Sequence, residues 1–230
     1  MKKYILALAF ILLIFNSFSQ ERVFSLQTID FSRKGNFGPN LKNYTQFGMN
    51  IGVLFSNGNN YLPLKQGNAS FIDFNFRYKR RLNNLLSTGF DIFYSGRSYE
   101  LKQFAGKTFP DTISYFKEYL NASDLGSGIY LRINFNKKRG NYLGEFLDLG
   151  VSGAYVFSFT QSTIIKQDNK KIKSSARGFD FYEIFHYGIY CRLGSQKQAF
   201  IFKYRLSPLF KSSFNYPDLP PFGIGYEISF

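Results

Sequence analysis

The amino-acid sequence predicts an all-β fold, an eight-stranded antiparallel up-and-down β-barrel with short turns at one end and long loops at the other. Eight segments alternate large apolar residues with glycine, polar or charged residues, which is the period of a β-strand. The links between these segments are alternately long and short. The chain of 230 residues contains 17 Tyr and 29 Phe, far too many aromatic residues for a disordered protein. No apolar run after residue 15 reaches the roughly 18 residues of a membrane-spanning helix, which excludes a helical membrane bundle.

The first 19 residues have the three parts of a secretory signal peptide. Lys2 and Lys3 precede an apolar run over residues 4–15, and the small residues Ser17 and Ser19 suit a signal peptidase. The apolar run is too short to anchor the chain in a bilayer. We therefore predict cleavage after Ser19 and export of the mature chain.

The first four alternating segments are residues 44–55, 70–79, 86–95 and 125–135. Their apolar rows are Phe47, Met49, Ile51, Val53 and Phe55; Ile72, Phe74, Phe76 and Tyr78; Leu86, Thr88, Phe90, Ile92 and Tyr94; and Leu125, Ile129, Leu131, Ile133 and Phe135. Because alternate side chains of a strand point to opposite faces, each row predicts one apolar face.

The last four segments are residues 143–157, 179–193, 199–207 and 221–230. Their apolar rows are Leu143, Leu147, Leu149, Val151, Tyr155 and Phe157; Phe181, Phe185, Tyr187, Ile189, Cys191 and Leu193; Phe200, Phe202, Tyr204 and Leu206; and Phe222, Ile224, Tyr226, Ile228 and Phe230. Glu145 and Glu183 interrupt two of these rows near the end of their segments.

The link lengths favour a transmembrane barrel of the outer membrane. The short links are residues 80–85, 136–142 and 194–198, and the long ones are residues 56–69, 96–124, 158–178 and 208–220. Outer-membrane barrels combine short periplasmic turns with long extracellular loops, whereas a soluble meander has no reason to do so. We therefore expect the apolar rows to face lipid. A soluble exported barrel of the lipocalin kind, with its apolar face inward, is the alternative.

The polar rows carry charges that suit a closed lumen. With eight strands, the interior of a barrel is about wide enough to be filled by its own side chains. We expect opposite charges to pair there and to plug the lumen, which disfavours a pore. Conduction becomes plausible if ten or more strands form, for example by recruitment of part of residues 96–124. The predicted lumen charge network consists of Asp73, Arg77, Asp91, Arg132, Asp148, Arg192, Lys203, Arg205 and Glu227.

Aromatic residues near the segment ends predict two girdles at the membrane interfaces. The girdle near the long loops consists of Phe55, Tyr94, Tyr155, Phe157, Phe181 and Phe222, and the girdle near the short turns consists of Tyr78, Phe135 and Phe230. Glu145 and Glu183 are expected in the headgroup region, which tolerates a charge better than the bilayer centre does.

The sequence from Gly225 to Phe230 alternates polar and apolar residues and ends in Phe. It resembles the C-terminal strand that outer-membrane barrels present to the barrel assembly machinery, with Tyr226, Ile228 and Phe230 as the assembly signal. With the signal peptide end and residues 93–99 and 142–156, residues 44–230 resemble the small outer-membrane β-barrel superfamily of Gram-negative bacteria that includes PorT-like proteins. The resemblance implies an outer-membrane location and, for PorT-like members, a part in protein secretion.

These observations divide the chain into a signal peptide (residues 1–19), a periplasmic tail or partial plug (residues 20–43) and an outer-membrane barrel (residues 44–230). Gly35, Gly38 and Pro39 indicate a turn in the middle part. Both ends of such a barrel are expected in the periplasm, which requires an even number of strands and disfavours a ninth strand before residue 44.

His186 is the single histidine and the one candidate for catalysis. In a lipid or peptide hydrolase it would act as general base, with Ser152 or Ser207 as nucleophile and Asp148 orienting the imidazole. No spacing marks a nucleophile, so we expect a non-catalytic protein with a hydrogen-bonded His186 in the lumen. One His and one Cys on different faces predict no metal site, and no cofactor is expected.

A basic cluster of Lys166, Lys170, Lys171 and Lys173 lies in the third long link. Clustered cations suit the phosphates of lipopolysaccharide, although a solvated loop explains them equally well. The partners that we expect are outer-membrane lipid, lipopolysaccharide, the barrel assembly machinery and a secretion-system component. Despite a net charge of +14, nucleic acid is not expected, because an exported protein meets no genome.

Overall fold

The computed structural model describes residues 37–55, 61–136, 140–167 and 170–230, without the side chains of residues 66 and 67. The predicted signal peptide and most of the predicted tail lie outside these residues. The strands are β1 (Asn43–Phe55), β2 (Leu64–Arg81), β3 (Leu86–Leu101), β4 (Lys117–Asn134), β5 (Glu145–Gln167), β6 (Lys170–Arg177), β7 (Phe185–Ser195), β8 (Gln198–Arg205) and β9 (Phe222–Ser229), with a 3-10 turn at Ser212–Phe214.

Eight of these strands form a closed antiparallel barrel. The order around the ring is β1, β2, β3, β4, β5, β7, β8 and β9, and β9 pairs back onto β1. The register of this closing pair runs from Gly48 opposite Ser229 to Phe55 opposite Phe222. The predicted eight-stranded antiparallel barrel is therefore confirmed.

Strands β2 to β5 continue into links that were predicted as loops. The long link at residues 96–124 is a loop only over residues 102–116, because β3 ends at Leu101 and β4 begins at Lys117. The reason is a reversal of pattern along the same strand. Outward positions after Tyr94 are small or polar, whereas the inward side chains of Tyr99 and Leu101 are buried. The outward apolar row thus ends at Tyr94, whereas the strand continues to Leu101.

The link at residues 158–178 also contains strand structure. The second half of β5 pairs with β6 in a hairpin, from Thr160 opposite Arg177 to Gln167 opposite Lys170. An extra residue, Phe157, forms a β-bulge where this extension leaves the barrel wall, between the pairs Ser123–Ser158 and Asp124–Val156. Strand β6 is the ninth strand of the sheet and lies outside the ring.

Strand β7 begins at Phe185, later than the predicted start of the sixth segment. Glu183 precedes the strand, and its backbone N–H donates to the carbonyl of Leu209 in the last long loop. Phe181 packs among buried loop residues instead of on the outer wall, so its assignment to an aromatic girdle was wrong. Leu143 is also buried and precedes β5.

The long loops form a second apolar core at one end of the barrel. Loop residues such as Phe109 and Phe210 pack against the inward faces of β3, β4 and β5. The buried members of this loop-end core are Leu62, Ala69, Tyr99, Leu101, Phe109, Leu120, Ala122, Val156, Phe159, Leu209, Phe210 and Leu219. The core therefore covers the lumen at the long-loop end.

Residues 37–42 cross the short-turn end of the barrel. The Asn40 side chain donates to the carbonyl of Gly140 at 2.8 Å, in the turn between β4 and β5. Lys79, at the end of β2, is buried and donates to the carbonyl of Pro39. Arg81 donates to the carbonyl of Asn40 at 2.6 Å. This segment is therefore bonded to both sides of the short-turn end.

Candidate functional site: the lumen and the loop end

The outer wall of the barrel is apolar and the lumen is polar, which is the reverse of a water-soluble protein. Among the outward side chains, Phe47 is 63% exposed, Ile129 65% and Phe185 61%. Further exposed apolar residues of the strands are Ile51, Val53, Phe55, Phe74, Phe90, Ile92, Tyr94, Leu125, Leu131, Leu149, Val151, Tyr155, Phe157, Tyr187, Ile189, Leu193, Phe200, Phe202, Tyr204 and Ile228. The inward apolar face expected of a soluble lipocalin-like barrel is not the arrangement found.

Six of the nine residues predicted for the lumen network lie in one cluster of alternating charges. They come from six different strands, and none is more than 4% exposed. The members of this central charge cluster are Arg77, Asp91, Arg132, Asp148, Arg192 and Glu227. Three cations thus face three anions, which removes most of the cost of burying a net charge.

Two arginines make the strongest contacts of the cluster. The terminal nitrogens of Arg77 donate to the two carboxylate oxygens of Glu227 at 2.8 and 2.7 Å, and its Nε donates to Asp91 at 2.8 Å. Arg132 donates through Nε and Nη2 to Asp148 at 2.6 and 2.8 Å. Two parallel hydrogen bonds to one carboxylate fix the orientation of both groups.

Arg192 joins these two halves. Its Nη2 lies 3.1 Å from Asp91 Oδ2, its Nε lies 3.1 Å from Asp148 Oδ2, and its Nη1 lies 3.7 Å from Glu227 Oε2. All three carboxylates of the cluster therefore contact Arg192. The six side chains form one continuous network across the lumen.

Aromatic rings complete the central charge cluster. The Tyr130 ring centroid lies 4.9 Å from the guanidinium carbon of Arg192, 5.7 Å from that of Arg132 and 5.9 Å from that of Arg77. The Tyr190 hydroxyl donates to Asp91 Oδ2 at 2.6 Å. Neither tyrosine was assigned a role from the sequence. The sequence feature that could have identified them is a large aromatic residue next to glycines in the inward-facing row.

Two glycines provide the space for these rings. A Cβ atom at Gly150 would lie 2.3 Å from the Tyr190 ring, and one at Gly89 would lie 2.6 Å from the Tyr130 hydroxyl. A side chain at either position would displace the tyrosine from the arginines.

Asp73 and Lys203 form a separate pair nearer the long-loop end. Lys203 is paired with Asp73, and the Asn50 side chain donates to the same carboxylate oxygen at 3.0 Å. A cavity of about 110 Å³ lies beside them. The side chain of Asn75 lines it, and neither of its polar atoms has a hydrogen-bond partner among the described residues. A cavity of this size and polarity has room for several water molecules.

Arg205 was also predicted in the lumen network, but it anchors a loop. It donates to the carbonyl of Ser207 at 2.5 Å, to Asp218 at 2.9 Å and to the carbonyl of Leu219 at 2.6 Å. All three partners lie in the link between β8 and β9. Because Arg205 is the last residue of β8, its long side chain reaches the loop at the end of the barrel.

His186 lies beside two charged residues that sequence reasoning missed. Arg97 Nη2 is 2.5 Å from Asp124 Oδ2 and 2.9 Å from His186 Nε2, and His186 Nε2 is 3.5 Å from Asp124 Oδ2. Arg97 and Asp124 fell inside the link that was predicted as a loop, so no face was assigned to them. The signal that could have found them is the continuation of the inward parity beyond Ser95.

The hydrolase alternative required Asp148 to orient His186. Asp148 is instead bonded to Arg132 and paired with Arg192 in the central charge cluster. The Ser207 hydroxyl accepts the backbone N–H of Tyr187 at 3.0 Å. The structure therefore does not place Asp148 to orient His186, whereas Ser152 and His186 line the same cavity.

A polar network fastens the loop at residues 102–116 to the strands beneath it. Glu118 is fully buried and accepts Lys107 at 2.6 Å, Gln103 at 2.8 Å and Gln161 at 2.7 Å. Asp111 accepts further bonds from the loop, from Lys107 at 3.2 Å and from the Tyr115 hydroxyl at 2.9 Å. We call these residues the loop lock.

Two groups of the loop lock have shifted pKa values. Burial acts to raise the pKa of Asp111, but hydrogen bonds from Tyr115, Gln161, the Ile113 backbone and Lys107 outweigh it and lower the pKa. Burial, together with the hydrogen bond to Asp111, raises the pKa of the Tyr115 hydroxyl to about 12. The arrangement therefore favours an ionised Asp111 beside a neutral Tyr115.

The four lysines of the predicted basic cluster lie on the β5–β6 hairpin, and all are exposed. Lys166 is near the end of β5, directly opposite Lys171 of β6, while Lys173 is opposite Ile164 and Lys170 is opposite Gln167. The register places Lys166, Lys171 and Lys173 on one face and Lys170 on the other. The cluster is thus strand structure and not an irregular loop.

The residues of the predicted assembly signal face outward along β9. The Tyr226 hydroxyl donates to Gln198 at 2.5 Å, and the Phe230 backbone N–H donates to the carbonyl of Phe47 at 2.8 Å. Ile228 is 46% exposed and Phe230 69%. The C-terminal residues therefore contribute both to the closing seam and to the apolar outer wall.

Comparisons with protein-family models, curated proteins and solved structures gave no match to the chain. Within the described residues, no group of three or more His, Cys, Asp or Glu side chains is placed to hold a metal ion. The described ranges also contain no apolar helix of membrane-spanning length.

Proposed function

We propose that the protein is an integral outer-membrane β-barrel without catalytic activity, which has a closed lumen and presents its long loops to a partner. The partner is lipopolysaccharide or a component of a secretion system. The observation that carries this proposal is the apolar outer wall around a lumen of buried charges. In water such a wall would be a large aggregation-prone surface, whereas lipid solvates it.

The dimensions of the wall support insertion in a bilayer. The exposed apolar row of β1 runs from Phe47 to Phe55, and that of β4 begins at Leu125 and includes Leu131. A transmembrane β-strand needs about 9–11 residues when it is tilted by about 45°. Beyond these rows the outward residues become polar, as expected where a strand leaves the hydrocarbon.

The contents of the lumen argue for a scaffold and against a pore. The central charge cluster spans six of the eight strands, and the loop-end core covers the lumen above it. An eight-stranded barrel leaves little free cross-section in any case. The resemblance to PorT-like proteins is what favours a secretion component as partner.

The first test is migration on a gel before and after boiling, with protein extracted from outer-membrane fractions. We expect the unboiled wild type to migrate differently from the boiled sample, because a closed barrel resists unfolding by detergent. Deletion of Phe230 should abolish the shift by weakening the closing seam. Phe37→Ser removes an exposed aromatic residue outside the strands and should leave the shift unchanged. A soluble periplasmic protein with no shift contradicts the proposal.

A further inference from the structure

Beyond the aromatic girdle, the outer face of the barrel continues as a basic sheet made by β4, β5 and β6. Lys117 of β4 lies opposite Ile164 of β5, which lies opposite Lys173 of β6. Lys166 and Lys171 are opposite each other, two residues further along the strands towards the tip of the β5–β6 hairpin. Paired residues of an antiparallel sheet share a face, so these lysines lie side by side.

This basic sheet faces the same way as the lipid-facing wall. Leu125 is exposed on the outer wall, and Lys117 lies at the same parity of the same uninterrupted strand. Arg177, opposite Thr160, belongs to the same face nearer the barrel. The cations of the sheet therefore lie on the side that faces the surrounding membrane and not above the lumen.

Lys117 of this face is attracted by Glu100 of β3, but the lysines of the β5–β6 hairpin and Arg177 form no ion pair in the described part of the chain. The ion pairs at the long-loop end join Lys65 to Glu100, Lys107 to Asp111 and Glu118, Arg97 to Asp124, and Arg205 to Asp218. None of them involves Lys166, Lys171, Lys173 or Arg177, and all eight residues of β6 are exposed. Like charges directly opposite each other destabilise a strand pair, and a bound anion relieves that repulsion.

The height of the lysines restricts the kind of anion. Lys166 follows Phe157 by nine residues, which is about 30 Å along a strand. If the hairpin keeps the tilt of about 40° of the barrel strands, this is roughly 23 Å along the barrel axis. The headgroup layer of a phospholipid leaflet is only about 5–8 Å thick. Arg177, level with Thr160, is near that layer, but the lysines extend well beyond it.

We propose that the outward face of the β4–β5–β6 sheet binds phosphate groups carried on the saccharide part of an outer-leaflet glycolipid. Phosphates carried on such a saccharide lie beyond the headgroup layer, as Lys166, Lys171 and Lys173 would in the inserted barrel. This inference rests on the proposed membrane insertion and adds the binding face, the ligand chemistry and the depth at which it is recognised. The sheet holds the glycolipid against the barrel wall.

The test is binding by the full barrel in detergent micelles. The probes are purified lipopolysaccharide, the same material after chemical removal of its phosphates, phosphatidylglycerol micelles and inorganic phosphate. The test variant combines Lys166→Gln, Lys171→Gln and Lys173→Gln, and the control combines Lys42→Gln, Arg80→Gln and Lys197→Gln, which removes three exposed cations at the short-turn end.

We expect the test variant to lose at least roughly 10-fold in affinity for phosphorylated lipopolysaccharide and the control to stay within about 2-fold. The wild type should bind the dephosphorylated material as weakly as the test variant does. Equal binding by wild type and test variant, or equal binding of the two lipopolysaccharide preparations, overturns the inference. Phosphatidylglycerol or free phosphate that competes as well as lipopolysaccharide overturns the assignment to a saccharide phosphate.

Gel migration before and after boiling is measured for each variant, so that loss of folding is separated from loss of binding. If the triple variant does not fold, Lys173→Gln alone should still weaken binding by about 3-fold. A wild type that shows the migration shift but no preference for phosphorylated material refutes this inference alone. A wild type without the shift refutes the proposed function itself.

Discussion

Arg77 and Glu227 are joined by two hydrogen bonds of 2.8 and 2.7 Å although they lie 150 positions apart in the chain. Arg77 is on β2 and Glu227 on β9, and β1 lies between these strands in the ring. The contact therefore spans β1 from inside and connects the two strands that flank it. Both side chains are 1% exposed, so water does not screen the pair.

Replacement of Glu227 by Gln should destabilise the barrel strongly. The change removes one of the three anions of the central charge cluster and leaves Arg77 and Arg192 without a full countercharge. Breaking a buried ion pair from one side costs about 3–5 kcal/mol. The measurement is the free energy of unfolding in urea, with the protein in detergent micelles.

The matched control for this prediction is Glu145→Gln, which removes an exposed carboxylate at the start of β5. Its effect on the free energy of unfolding should be much smaller. The double variant with Arg77→Met and Glu227→Leu should recover a large part of the loss, because it leaves fewer uncompensated charges. Equal effects of Glu227→Gln and Glu145→Gln would argue against the cluster as a source of stability.

Gly150→Ala should loosen the lumen although it adds a single methyl group. The new Cβ would lie 2.3 Å from the Tyr190 ring and 2.6 Å from its hydroxyl, so the ring must move away from Asp91 and Arg192. Overpacking of this kind typically costs about 1–3 kcal/mol. Gly96→Ala is the control, because its Cβ meets Ile72 at an ordinary 3.5 Å. Similar unfolding curves for the two variants would refute the prediction.

The loop lock should make the position of residues 102–116 depend on pH in two separate ranges. Asp111 has a lowered pKa, so its contribution is complete above the ordinary value of about 3.9 and is lost as the pH falls through the folded pKa. Tyr115 has a pKa raised to about 12, so its contribution is complete below about 10 and is lost as the pH rises towards 12. Docking should be tightest between these ranges.

Fluorescence anisotropy can follow this docking with a dye on Ile113→Cys, in a chain where Cys191 is replaced by Ser. We expect a plateau of high anisotropy at neutral pH, with a decrease on each side. Tyr115→Phe should remove the alkaline decrease, and Asp111→Asn the acid one. An anisotropy that does not change below pH 4 or above pH 10 would show that these groups do not hold the loop.

The number of strands in the ring and the direction of each face followed from the sequence because the outward apolar rows repeat with period two. The same parity placed Arg77, Asp91 and Glu227 on one inward face, where opposite charges have few other partners. The parity of a residue does not predict which charged side chains pair with each other in the lumen. Arg205 and Asp73 were assigned to the same network as Arg77. In the structure they pair outside the central charge cluster, Arg205 with Asp218 and Asp73 with Lys203.

The loop end was much harder to predict. Beyond Tyr94 the outward residues of β3 are small or polar, so the outward apolar row that identified the segments is absent there. For that reason Arg97 and Asp124 were not included in the predicted lumen network. Phe181 was predicted on the outer wall because it has the same parity as Phe185 and Tyr187. The contacts of Phe109 and Glu118 depend on how a loop folds back, which no local period encodes.

If the barrel inserts into the outer membrane as proposed, the seam between β1 and β9 has a consequence for the order of events during biogenesis. Residues 48–55 receive their second neighbour only after residues 222–229 have been synthesised. Until then one backbone edge of β1 has no partner, and each unpaired amide costs several kcal/mol in hydrocarbon. Stepwise entry of single hairpins into lipid is therefore unfavourable. Ring closure and membrane entry are expected to occur together, as one late step that depends on the final strand.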